Sequence, residues 1–430
     1  MPEYYGQTGR PRPFILVSVQ MASNVAEAST RLILIGAAVL LSIGMGLRQS
    51  IGLFLTPVTR DLALTAADFT LTIAIQNIVW GLAQAPAGAI ADRFGLRITL
   101  VAGTVIYIAG LAAMAAASGE MALIVSSVLI GIALACTASS LALAACARVV
   151  PEQSRSNMLG MVAAVGSLGT LIVPLATQAV LKYYPWQVGA LFFAVLAAAM
   201  LPAAFWAGAS DKLPVMTAAA KTTMRDTLAQ ALRHRGFLVM SGAYFVCGLN
   251  LVFLTTHLPA YLEICGQDPM LSAEALAVIG AVNCVGALLA GWLGGRYPKH
   301  VVLGWLYILR SVAFAAYFLG PPTASNTLIF AAAMGLLWFP GVWPLLSGLV
   351  AEMFGTRYMA TLLGISFVVH QVGASLGAWG GGIILDVTGS YDDAWKIGVL
   401  VGFAAGIVQI VAGGPVHPRE ARAEPQLVST

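Results

Sequence analysis

Arg48, Arg310 and His370 each lie inside a long apolar run of this 430-residue chain, where a titratable side chain needs a chemical reason. Arg48 stands about two-thirds of the way along the run 32–57. A charge near a bilayer centre costs at least about 2.5–3.5 kcal/mol on insertion scales, so it faces water, a partner or a ligand rather than lipid. No acid lies deep within any run; Glu263, Glu352 and Asp386 are all near run ends. A guanidinium with no built-in counter-ion is what a carboxylate completes, through two parallel hydrogen bonds. The competing reading is an Arg that snorkels to the nearer interface or donates to helix carbonyls.

The other polar residues of the runs leave similar pairs of readings open. Arg310, in the middle of 301–319, either contacts a ligand or supports the fold. His370, near the middle of 358–385, is a packing residue, a second positive charge for an anion, or a proton carrier, since its unperturbed pKa lies near 6.5. Asn77, Gln84 and Asn283 either line a cavity or join helices by hydrogen bonds. Tyr244, Asn250 and His257 punctuate 237–262, with His257 near Pro259 reading as gate or packing. Trp338, Phe339, Pro340, Trp343 and Pro344 suit a bent helix and an apolar wall for the organic part of a ligand. Gly377 to Gly382 favours close helix packing.

Catalytic and metal chemistry have no support in the sequence. Cys136, Cys146, Cys247, Cys265 and Cys284 form no CxxC or Cys/His pairing, so they read as small packing residues, with no metal and no disulfide framework. There is no HExxH, P-loop, paired carboxylate or nucleophile elbow. No enzyme activity and no cofactor are expected.

The elements that hold these residues are membrane helices. Only 9% of residues are charged, against about 25% in soluble domains. With 59% hydrophobic residues and a mean hydropathy of +0.87, the solvent of this chain is mostly lipid, which excludes a cytosolic enzyme or a nucleic-acid-binding module. Crossing the hydrocarbon core takes about 20 apolar residues. Twelve such runs occur: 32–57, 70–91, 98–117, 121–146, 157–181, 188–207, 237–262, 274–294, 301–319, 324–350, 358–385 and 393–413. The expected organisation is a leader 1–31, a six-helix bundle 32–207, a linker 208–236 with a short amphipathic helix near Thr222–His234, a second bundle 237–413 and a tail 414–430. Phe14 to Val25 is too short to cross and reads as part of the leader.

Orientation follows from the basic residues. The N-terminal segment, the even-numbered loops and the C-terminal segment hold 17 of the 22 Lys and Arg, while the opposite loops hold only Arg60, Lys182 and Lys396. Both termini are therefore expected in the cytoplasm and the chain in the plasma membrane. The halves also repeat. Ala87 to Gly95 recurs about 203 residues later as Ala290 to Pro298, and Leu159-Gly160 with Gly169 recurs as Leu363-Gly364 with Gly373. A constant offset argues for duplicated halves with a site between them.

Gly88-x-x-x-Asp92-Arg93-x-Gly95-x-Arg97 resembles the signature loop of the major facilitator superfamily, and the resemblance covers about Leu32 to Gly413. It implies an all-α membrane protein of twelve transmembrane helices in two pseudo-symmetric six-helix bundles, working as a monomer by alternating access. In that family the Asp of the loop holds the cytoplasmic ends of helices together in the outward-open state, by pairing with a nearby Arg and a helix N-terminus; Asp92 matches it, with Arg148 and Arg155 as partners. The second copy has Gly295 for the Asp and Pro298 for the Gly, so its gate is expected to be weaker or differently built. Gly46 to Phe54 resembles the first helix of monocarboxylate transporters, and Phe367 to Gly373 resembles a helix of oxalate:formate antiporters, with His370 where those carry a lysine. The resemblance implies a mono- or dicarboxylate as substrate, with a proton or counter-anion as co-substrate. The acid that monocarboxylate:proton symporters carry in the eighth span is missing, which puts proton coupling through that pair in doubt. A multidrug exporter on the same fold is the rival expectation; such exporters usually need a cavity acid to attract cations, and this sequence has none deep within its runs.

Overall fold

The computed structural model describes residues 13–137, 139–150, 158, 160–162, 164–212, 224–337, 339–355 and 358–414. Arg155, Arg357, Trp338 and the tail beyond 414 lie outside the described residues, as do the linker positions 213–223. Of the expected amphipathic linker helix, Met224–Ala231 is present.

Among the described residues, eleven helices are long and apolar enough to cross a membrane. They are α1 (Thr30–Leu62), α2 (Ala66–Phe94), α3 (Leu96–Ala115), α4 (Glu120–Val149), α5 (Gly160–Tyr183) and α6 (Trp186–Asp211) in the first half. The second half holds α7 (Arg235–Ile264), α8 (Pro269–Arg296), α9 (Lys299–Leu319), α11 (Met359–Thr388) and α12 (Asp392–Ala412). The remaining expected span, α10, is a pair of shorter helices, Ala324–Leu336 and Phe339–Phe354. Pro340, which has no N–H to continue the ladder, falls where the helix restarts. At the other end of the chain, the helix leading into α1 already begins at Pro13 and runs unbroken to Ser50, so part of the expected leader is helical.

Helix pairing reproduces the sequence repeat. In the first half α1 packs on α5 and α6, α2 on α4, and α3 on α4 and α6. Adding six to each label gives pairings found in the second half: α7 on α11 and α12, α8 on α10, and α9 on α10 and α12. Two seams, α2 with α11 and α5 with α8, join the halves and exchange under the same shift, and the end of α1 also packs on α7. Small residues bring the backbones together, as where Gly248 of α7 lies on the His370 carbonyl and Gly373 of α11 on that of Phe245.

The two ends of the molecule differ. At one end, polar contacts cross between the halves: Asp386 of α11 accepts the N–H groups of Ala66 and Ala67 of α2, and Arg60 pairs with Glu263 at 3.1 Å. Nearer the middle, the Ser375 hydroxyl donates to the Ala74 carbonyl at 2.8 Å and Gln49 Nε2 donates to the Leu276 carbonyl at 2.7 Å. At the opposite end, among the described residues, the ion pairs stay within a half, Arg148 with Asp211 and Asp92, and Lys299 with Glu352. There Gly88, Gly160, Gly291 and Gly364, one on each seam helix, have open space where a Cβ would point. Among the described residues, the polar contacts between the halves gather at and near the Asp386 end, and the Asp92 end has the glycines with open space.

Candidate functional site

Arg48 of α1 reaches the α2–α11 seam near the middle of the molecule. Asn77 and Trp80, three residues apart on α2, share one face of that helix and both meet it. The Asn77 amide donates to the Ile73 carbonyl at 2.8 Å, which turns its Oδ1 toward Arg48 Nη2 at 3.4 Å. The guanidinium carbon lies 4.9 Å from the centre of the Trp80 ring, within cation–π range. Trp80 Nε1 donates to Gln84 Oε1 at 3.1 Å, so Gln84 is tied to the same cluster.

The cluster continues into the second half through aromatic rings. Trp80 meets Phe367 of α11 edge-on, with centres 5.2 Å apart. One turn on, His370 lies parallel to Phe367 at 5.9 Å, and Tyr244 of α7 is 4.4 Å from the His370 ring. His370 Nδ1 meets Gln371 Oε1 at 3.1 Å. Trp80, Asn77, His370 and Tyr244 are all buried, whereas Arg48 keeps partial exposure. Among the described residues Arg48 has no carboxylate partner. The arrangement is a cation held by an amide and a π face, able to take up an anion.

The remaining candidates separate from this group. Arg310 is 1% exposed and held by the fold: Nη1 donates to Cys247 Sγ at 3.2 Å and Nη2 to the Leu337 carbonyl at 2.5 Å, where α10 is broken, while Nε has no hydrogen-bond partner among the described residues. Asn250 points away from the seams, donating to the Gly398 carbonyl of α12 at 3.2 Å, so its part is to join α7 to α12. Asn283 is buried on α8, its Oδ1 without a hydrogen-bond partner among the described residues. Trp343 is partly buried on the second piece of α10. His257 is locked in packing: Nε2 meets the Ala378 carbonyl at 2.7 Å and Nδ1 the Tyr391 hydroxyl at 2.9 Å. Both ring nitrogens are satisfied by the neutral tautomer that donates from Nε2.

Sequence reasoning passed over Trp80, Phe367, Gln49 and Gln371. Trp80 carried a usable signal, since it lies one turn from Asn77 at the depth of Arg48.

Comparison with known proteins decides the family. The Major Facilitator Superfamily profile matches residues 32–378. The chain belongs to the major facilitator superfamily. It is thus a multi-pass membrane protein and a secondary transporter. Among its superfamily relatives, the 4-hydroxybenzoate transporter PcaK of Pseudomonas putida is 25% identical over 375 residues, 78% of this chain and 81% of that one. Monocarboxylate transporter 13 of Bos taurus is 29% identical over 174 residues, 40% of each chain. A crystal structure of a bacterial homologue of the human lysosomal transporter Spinster shares the fold, with a TM-score of 0.65 at 17% identity over 89% of this chain and 95% of that one.

At the signature loop two acids, Asp92 and Asp211, meet Arg148. Asp92 is 82% exposed and lies 3.7 Å from Arg148. The acid that grips the helix N-terminus is Asp211, from the end of α6: it accepts the N–H groups of Leu96 at 2.8 Å and Arg97 at 2.9 Å and meets Arg148 at 3.2 Å. Gly95 has φ +100°, and a Cβ there would sit 2.7 Å from Asp211 Oδ2, so glycine is required on both counts. Arg93 lies over Phe94 at 5.2 Å and Arg97 over Phe205 at 4.2 Å. In the second half the polarity is reversed. Glu352, 204 residues after Arg148, pairs with Lys299 at the start of α9.

Proposed function

We propose that the protein moves a small organic anion, a mono- or dicarboxylate, across the plasma membrane by alternating access, as proton symport or anion exchange. The observation that carries the reading is Arg48, held by Asn77 and Trp80 at the seam with no acid beside it among the described residues. Arg48 binds the carboxylate, and His370, joined to it through Trp80 and Phe367, supplies further charge or the proton. Two relatives named for monocarboxylates and 4-hydroxybenzoate support a carboxylate as cargo. The bundles 32–207 and 237–413 are the moving bodies of a monomer, with the Asp386 end outside the cell and both termini in the cytoplasm.

Uptake of radiolabelled carboxylates into proteoliposomes tests this. Arg48→Gln abolishes uptake while the protein still inserts and melts normally. Uptake by Arg48→Gln equal to that of the wild type sinks the reading.

A further inference from the structure

Among the described residues Arg48 has no carboxylate partner, yet its position is fixed. Asn77 is locked by the Ile73 carbonyl, and the other wall is the Trp80 ring, locked by Gln84 at its nitrogen and by Phe367 at its edge. The choice of wall has a chemical consequence. A built-in carboxylate would occupy the N–H fork of Arg48, and a substrate anion would have to displace it. The face of an indole attracts a guanidinium through its quadrupole and uses none of the N–H groups, which lie in the plane of the cation.

We infer that Trp80 is a positioning residue for anion binding, a π face in place of a counter-ion that holds Arg48 while leaving the N–H groups not given to Asn77 open to the substrate carboxylate. The inference rests on the reading of Arg48 as the anion anchor. Because Phe367, which braces Trp80, belongs to the other half, the pose is tied to contact between α2 and α11. Affinity for the anion is then coupled to the closure of that seam. Phe367 acts through Trp80 and needs no contact with the anion.

The test is binding of benzoate and L-lactate to the purified full chain in lipid nanodiscs, with benzamide as an uncharged control, beside uptake in proteoliposomes. Trp80→Leu weakens carboxylate affinity about tenfold, the size of a partly desolvated cation–π contact. Its maximal uptake rate at saturating substrate stays near that of the wild type. Trp80→Phe keeps a π face and recovers most of the affinity, and Phe367→Leu weakens it less than Trp80→Leu. Benzamide binding is unaffected throughout. Wild-type affinity in Trp80→Leu, together with loss of binding in Arg48→Gln, overturns the role of Trp80 and leaves the anion anchor standing. Equal losses in Trp80→Leu and Trp80→Phe, with lowered melting temperatures in both, assign the ring to packing and also overturn it. If the wild type shows no Arg48-dependent binding of either acid, both readings fall.

Discussion

Asp386 of α11 takes the backbone N–H of Ala67 of α2 at 2.7 Å, so an acid of one half caps a helix of the other. The same carboxylate takes the Ala66 N–H at 3.1 Å, while Thr65 and Asp68 form a capping box within α2 itself. Opening this end therefore leaves two helix donors to water. Asp386→Ala removes a cap worth about 1 kcal/mol and shifts the balance several-fold toward opening at this end. Paired spin labels across the Asp386 end report the change as a longer-distance population. An unchanged distance distribution counts against the clasp.

The signature loop gives a second prediction. Asp211 caps α3 and meets Arg148 from a largely shielded position, whereas Asp92 is exposed and farther from the same Arg. Asp211→Ala lowers stability by about 1–2 kcal/mol through the lost cap. Asp92→Asn changes it by less than about 0.5 kcal/mol, as exposed ion pairs do. Thermal melts of the two variants in one detergent decide the order; the reverse ranking refutes it.

Arg310 is placed to matter for folding rather than selectivity. Lys has one ammonium and cannot reach both Cys247 and the Leu337 carbonyl as the guanidinium fork does. Arg310→Lys destabilises by about 2 kcal/mol, the scale of a lost charge-assisted bond with an unsatisfied buried carbonyl. The ratio of affinities for mono- and dicarboxylates stays that of the wild type. A change in that ratio at constant melting temperature would move Arg310 into the binding site.

Glycines on the seam helices divide into two kinds. A Cβ on Gly280 of α8 would meet Thr170 Oγ1 at 2.5 Å and its carbonyl oxygen at 2.8 Å, while one on Gly160 or Gly364 meets nothing within 4 Å. Gly280→Val lowers the melting temperature by prying α5 from α8. Gly364→Val leaves it unchanged but slows transport if, as proposed, alternating access brings the Asp92 end together. Full transport by Gly364→Val contradicts that closure.

The spans and their pairing by a six-helix shift were legible because lipid forces each segment to declare itself through length and hydropathy, and because a duplication leaves a constant offset. Side-chain roles were less legible where they depend on the direction a helix face takes. Asn77 and Asn250 are both lone amides in apolar helices, yet one meets Arg48 and the other joins α7 to α12. Asp211 looked like a linker charge because its partners, Leu96 and Arg97, are more than a hundred residues away in the chain. Composition alone cannot show that the end of α6 returns to the start of α3.

The break in α10 bears on how the protein is made. Its pieces of 13 and 16 residues rise about 20 and 24 Å, so neither alone spans a hydrocarbon core about 30 Å thick. The preceding helix, α9, carries Arg310, which is itself unfavourable to insert. The guanidinium donates to the Leu337 carbonyl left over at the break, so each segment supplies what the other lacks. During biosynthesis α9 and α10 are then best received by the membrane as a hairpin, and a chain halted between them would be held there only weakly.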